Sequence, residues 1–128
     1  MTLRYHVRAL RGATTADDDT RASVAGRVNE LLQEMLVRNA VREGDVISVL
    51  FTATKDLISV FPATAARDLG FANVPLICAQ ELDIVGATPR ALRIMMTLRS
   101  RKRPEELHHV YLHGAANLRD DLTRWQPT

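Results

Sequence analysis

Three stretches of this chain are apolar at successive positions instead of alternate ones: Val46–Phe51 (VISVLF), Val74–Ala79 (VPLICA) and Ala91–Arg99 (ALRIMMTLR). A strand with one wet face alternates, whereas a strand apolar throughout needs cover on both faces. The third stretch carries leucine and methionine, which favour helix, but Ile94, Thr97 and its short length favour strand. Only one segment is long enough to cover a sheet. It runs from about residue 17 to 39 and places Val24, Val28, Leu31, Leu32, Met35 and Leu36 at helical spacings of three and four. One helix covers one face. Nothing in the chain is left for the other, so neighbouring copies are expected to bury what a single copy leaves open.

The remaining segments fill in an α+β domain. Leu3–Leu10 alternates Leu3, Tyr5, Val7 and Ala9 against Arg4, His6 and Arg8, a first strand whose dry face is the odd-numbered one. Arg11-Gly12-Ala13-Thr14-Thr15 breaks that pattern, Thr15 reads as an N-cap, and Asp17, Asp18 and Asp19 suit the positive end of the long helix. Thr52–Asp56 reads as a polar loop. Residues 61–70 read as a short helix, with Pro62 at its first position and Gly70 just past its end. Pro75 suggests an edge strand. Gly86–Pro89 is a turn, Ser100–Arg103 a charged loop, Pro104-Glu105-Glu106 a helical turn and His109–Leu112 a last short strand. The polar tail, residues 119–128, is expected to be mobile. The sum is a five-stranded mixed sheet with one long and one short helix, in a single domain spanning residues 1–128.

Composition narrows the function classes. No apolar run approaches the ~18 residues of a membrane span, and MTLRYHVRALRG lacks a signal-peptide core, so no membrane association is expected. The single cysteine, Cys78, excludes an intrachain disulfide and points to a reducing compartment, the cytoplasm. Arginine outnumbers lysine 15 to 2, yet the net charge is only +2, too weak a field to argue for nucleic acid. The basic run Arg99, Arg101, Lys102, Arg103 has no aromatic interleaving in sequence and reads as a solvated loop. His108 and His109 would point to opposite faces of a strand and so cannot chelate a metal together.

Four places combine rare polar groups with strand ends or turns. Arg11 closes the first strand, Glu81 follows Cys78-Ala79-Gln80, Arg93 lies inside an apolar strand, and Tyr111 lies in the last strand. An arginine cannot shed its charge, so Arg93 needs a partner or a ligand, and it reads equally as a structural ion pair or as a binding group. Tyr111 by itself reads as core, and Glu81 as a solvated rim residue.

Taken in order, Arg11-Gly12-Ala13-Thr14-Thr15, Phe61-Pro62-Ala63 with Arg67, Val74-Pro75, Cys78 with Gln80-Glu81, Asp83, Arg93 with Met95-Met96-Thr97, His109-Val110-Tyr111-Leu112, and Leu118-Arg119 with Asp121-Leu122 resemble the monofunctional trimeric chorismate mutases of the pseudo-α/β-barrel class. The resemblance implies a homotrimer with active sites between subunits, and the rearrangement of chorismate to prephenate in aromatic amino acid biosynthesis, with no cofactor and no metal. It assigns Arg93 to the ether oxygen, Arg11 and Tyr111 to the side-chain carboxylate, and Glu81 to the ring hydroxyl, with Cys78 beside that hydroxyl. Phe61, Ala63, Leu76, Ile77 and Leu118 become pocket walls, and Arg67 and Arg119 a basic mouth. It sets Phe61, Arg67 and Cys78 on one subunit and Arg11, Glu81, Arg93 and Tyr111 on the next. Thr64 departs from the pattern, which often has lysine there. The rival reading is a trimeric carboxylate-binding or imine/enamine deaminase-like protein of the same general architecture.

Overall fold

The computed structural model describes residues 4–117. Five strands form one sheet: β1 (His6–Thr15), β2 (Val46–Ala53), β3 (Leu76–Gln80), β4 (Ala91–Ser100) and β5 (Val110–Tyr111), in the order β3-β2-β4-β1-β5. β4 pairs antiparallel with β1 and β2, while β2–β3 and β1–β5 are parallel. The sheet is therefore mixed, and the ambiguous segment 91–99 is its central strand. Helices α1 (Arg21–Arg38) and α2 (Pro62–Ala66) complete the domain.

α1 covers one face. Its apolar stripe of Val24, Val28, Leu31, Leu32 and Met35 meets Leu10 of β1, Val49 and Phe51 of β2, and Leu92, Ile94 and Met96 of β4, all buried in one cluster. Each fully buried side chain of this size contributes about 1.5–3 kcal/mol. β1 crosses directly beneath α1 at Gly12. A Cβ there would lie 2.5 Å from the Met35 sulfur and 3.1 Å from a Leu31 methyl, so only glycine admits the helix this close. Asn39 caps the other end of the helix: its side-chain amide donates to the carbonyls of Met35 and His108, and its Oδ1 accepts from the His108 N–H. That buried fork ties α1 to the segment leading into β5.

The opposite face is open. Val7, Ile47, Leu50, Ile77 and Met95 are all large apolar residues left exposed, with Ile77 at 65% and Val7 at 64%. This is the uncovered face expected from the count of helices. The β3 edge is open as well. Val49 N–H donates to the Pro75 carbonyl and Glu81 N–H to the Ala53 carbonyl, which sets odd-numbered residues of β3 toward β2. The main-chain groups of Leu76, Cys78 and Gln80 then face outward.

Several expectations need correction. β1 does not stop at Leu10 but continues to Thr15, because Gly12 serves close packing and not a turn. Arg11 consequently lies within the strand. The dry face of β1 is the even one (Leu10, Gly12, Thr14), and Tyr5, Val7 and Ala9 are exposed. The N-cap of α1 is Thr20, whose hydroxyl accepts from Ser23 N–H, and the first turn holds no acid. The three aspartates lie ahead of the helix and have other partners: Asp17 pairs with Arg27, Asp18 accepts from the Thr20 hydroxyl, and Asp19 accepts from the Ile58 and Ser59 N–H groups. β2 runs two residues past Phe51, so Thr52 and Ala53 belong to the sheet and not to a loop. α2 begins at Pro62 as expected but continues as a wide turn, Arg67–Phe71, that ends through Gly70 at φ 110°. β3 starts at Leu76, after Pro75, on the edge that the proline suggests. His108 and His109 precede β5 and are not strand residues, so the opposite-face reasoning for them does not apply.

Candidate active site

The sheet register gathers the site on the open face. Arg93 of β4 pairs with Thr52 of β2 and Ala13 of β1, and Ala13 pairs with Tyr111 of β5. Paired residues point to the same side, and so do residues two apart. The next row, Arg11, Met95, Leu50 and Ile77, therefore shares the face. Ala13 is small, which leaves a hollow between its longer neighbours. The result is a cavity of about 270 Å³ lined by Arg11, Leu50, Thr52, Arg93, Met95 and Tyr111, among others.

Its donors are under-used. The Arg93 Nε lies 3.2 Å from both oxygens of Glu81. Among the described residues the two Nη groups of Arg93 have no acceptor. Arg11 Nη1 is buried without a hydrogen-bond partner. A buried donor left unmade costs about 1–3 kcal/mol, more for a charged group. The main-chain N–H of Arg11 donates to His109 Nδ1 at 3.0 Å, which fixes the backbone beneath the side chain. Tyr111 is half-buried at the same cavity, and its hydroxyl has no partner among the described residues. Two guanidinium groups and a phenol thus converge on one hollow with open valences, a set matched to carboxylate oxygens.

Glu81 supplies the one acid. It follows β3 directly, and its side chain is only 14% exposed. Thr52 Oγ1 donates to its Oε2 at 2.8 Å. Glu81 also borders a second hollow of about 320 Å³ lined by Lys55, Asp83 and the 84–89 turn. There the Asp83 carboxylate, hydrogen-bonded to Lys55 at 2.8 Å, holds the lysine above its usual range by that bond and its charge. The Arg93–Glu81 pair links the two hollows.

The sequence-expected residues divide into two groups. Arg11, Arg93 and Tyr111 line this cavity, and Glu81 joins them through its contacts with Arg93 and Thr52, with Ile77 on the same face. Phe61 and Arg67 do not reach it: Phe61 is 71% exposed beside a separate hollow of about 330 Å³ shared with Arg21 and Thr64, and Arg67 is exposed. Ala63 is buried in the core and has almost no surface to offer as a wall. Leu76 and Cys78 alternate to the opposite face of β3, toward the core, so Cys78 offers its edge main chain and not its thiol to the outside. Leu118 and Arg119 lie outside the described residues. Sequence reasoning missed Thr52, read as part of a loop. The alternation Ser48, Leu50, Thr52 was the signal that β2 continues to it.

The comparisons agree with this geometry. The family model described as chorismate mutase type I matches residues 7–122. Chorismate mutase AroH of Bacillus subtilis (strain 168) is 38% identical over 118 residues, 91% of this chain and 93% of that protein. Chorismate mutase AroH of Thermus thermophilus is 39% identical over 117 residues, covering 91% of this chain and 96% of its own length. A solved chorismate mutase from Clostridium thermocellum superposes with a TM-score of 0.83 at 42% identity, over 84% of this chain and 96% of that one. The residues those matches span include the whole open-face cluster, and this chain belongs to the chorismate mutase type I family.

Proposed function

We propose that this protein is an isomerase that converts chorismate to prephenate in the route to phenylalanine and tyrosine. The observation that carries the reading is the cationic pair at one hollow: among the described residues Arg11 Nη1 is buried without a hydrogen-bond partner and the two Nη groups of Arg93 have no acceptor. Chorismate is a dianion with an enolpyruvyl ether and a ring hydroxyl. Its rearrangement breaks one C–O bond and forms one C–C bond within a single molecule. No group enters or leaves, and no proton need move.

The protein's work is therefore orientation and charge stabilisation. Arg11 and the Tyr111 hydroxyl suit the side-chain carboxylate. As the C–O bond lengthens ahead of C–C closure, negative charge gathers on the ether oxygen and positive character on the ring. The free Nη groups of Arg93 suit the oxygen, and the Glu81 carboxylate suits the ring hydroxyl and the electron-poor ring. A gain of ~10⁶ needs ~8 kcal/mol. One well-aimed donor supplies ~3–4 kcal/mol, and orientation with the remaining charges supplies the rest.

The functional form in this reading is a homotrimer whose sites lie between subunits. The exposed apolar residues of the open face and the outward main chain of Leu76, Cys78 and Gln80 support it. So does the separation of Phe61 and Arg67 from the cavity: in a trimer a neighbour's Phe61, Arg67 and Cys78 main chain would complete the site. The cytoplasm is the matching compartment, and no described helix is long and apolar enough to cross a membrane. The rival carboxylate-binding or deaminase-like reading also calls for an interface arginine but gives no role to the pair Glu81 and Arg93 with Tyr111.

The test is direct. Added at micromolar concentration, the protein should abolish the ultraviolet band of chorismate and yield prephenate; an unchanged band would refute the activity. Site sharing is checked by mixing: inactive Arg93→Ala and inactive Phe61→Asp chains should regain part of the activity when refolded together. Properly mixed trimers that stay inactive would show each site to be built within one chain.

A further inference from the structure

We infer that Thr52 is a positioning residue that sets the rotation of the Glu81 carboxylate, and so decides which of its oxygens meets the substrate's ring hydroxyl; this rests on the chorismate reading above. Glu81 directly follows the last residue of β3, an edge strand. Arg93 Nε holds it only loosely: it hydrogen-bonds Oε1 at 3.2 Å and lies the same 3.2 Å from Oε2. Thr52 breaks that symmetry. Its hydroxyl donates to Oε2 alone, at 2.8 Å. With Oε2 taken by the shorter Thr52 bond, Oε1, which accepts only the longer bond from Arg93 Nε, keeps a lone pair for a ligand.

Thr52 is placed for this by the sheet. It is the residue of β2 that pairs with Arg93, it lines the same cavity, and its β-branched side chain has few rotamers. Hydroxyl and guanidinium thus meet at one carboxylate, from β2 and β4, at the end of β3. A charge-assisted hydrogen bond is about twice as strong as a neutral one, and a site with its groups held before the substrate arrives loses less on binding.

The experiment uses four variants of the protein: Thr52→Val, Thr52→Ser, Glu81→Gln and the Glu81→Gln/Thr52→Val double variant. Thr52→Val keeps the shape and removes the donor, whereas Thr52→Ser keeps the donor. Thr52→Val is expected to lower kcat/KM about tenfold, with Thr52→Ser within about threefold of the parent. In a Glu81→Gln background, Thr52→Val should cost much less than it does alone, because its effect runs through the carboxylate. Equal losses in both backgrounds would mean that Thr52 acts on packing and would overturn the inference. So would a Thr52→Val enzyme with the parent's kcat/KM. A readout free of activity is the side-chain carboxyl ¹³C resonance of Glu81. It should move in Thr52→Val and return in Thr52→Ser, and a resonance unmoved in both would overturn the proposal whatever the substrate. A parent protein that leaves chorismate untouched would instead refute the proposed activity, a result distinct from either of these.

Discussion

The two faces of the sheet are written by alternate residues of the same strands, and they serve opposite ends. On the covered face Leu10, Phe51, Ile94 and Met96 meet α1 and have at most 3% of their surface exposed. On the open face the neighbours one residue along are Arg11, Leu50, Arg93 and Met95, which mix charge with exposed hydrocarbon. The first face buries hydrocarbon in one packed cluster. The second leaves Arg11 Nη1 buried and unbonded and leaves apolar groups in water. A sheet that can tolerate such a face has its stability supplied from the other side. The division of labour lets the site keep cationic donors with open valences, which a well-packed core could not.

Breaking the covered face should therefore cost stability. Phe51→Ala removes the largest fully buried side chain and is expected to cost about 3–5 kcal/mol, read as a shift in the denaturant midpoint. A shift below about 1 kcal/mol would mean that the core does not rest on α1 and β2 as described. On the open face, Ile77→Asp should do the reverse. In a single chain the change lies within about 0.5 kcal/mol, as for other exposed positions. In the proposed trimer it places a charge in a contact, so the mass measured by light scattering should fall toward that of one chain. An unchanged mass would show that Ile77 lies outside the contact.

The smallest effect belongs to the loop beside the site. Burial raises the Asp56 carboxyl, but hydrogen bonds from the Thr54 hydroxyl and the Arg90 N–H outweigh it, and the group ends below the usual carboxylate range. A depressed carboxyl stabilises the fold above its unfolded value, and that contribution is lost as the pH falls through the folded one. Asp56 is exposed, so the effect is about a few tenths of a kcal/mol. Asp56→Asn should flatten the fall in thermal midpoint below pH 4 to that extent, and an identical slope would remove Asp56 from the acid response.

The difference between the faces also explains what was legible in the sequence. Period and composition reveal a covered face well, so the stripe on α1 and the strands at Val46–Phe51 and Ala91–Arg99 could be read from it, although β2 continues to Ala53. The open face misleads. Tyr5, Val7 and Ala9 are exposed, and their apolar alternation gives β1 the wrong dry side. Gly12 has two meanings in sequence, a turn or a close approach, and only the position of Met35 and Leu31 decides. The aspartates before α1 fit a helix dipole equally well in sequence, but Arg27 and the 58–59 main chain claim two of them. For the site, residue types and order were enough to bring Arg11, Glu81, Arg93 and Tyr111 forward. The Glu81–Arg93 contact and the role of Thr52 depend on strand register between segments about 30 and 40 residues apart, which local pattern does not encode.

The most direct measurement is the turnover of Arg93→Lys on chorismate. Lysine keeps the charge on the strand but lacks the planar fork that lets one nitrogen hold Glu81 while two others face the cavity. With mass and circular dichroism unchanged, kcat is expected to fall by about 10²–10³. A kcat within about threefold of the parent would contradict the assignment of the Arg93 guanidinium to the breaking C–O bond.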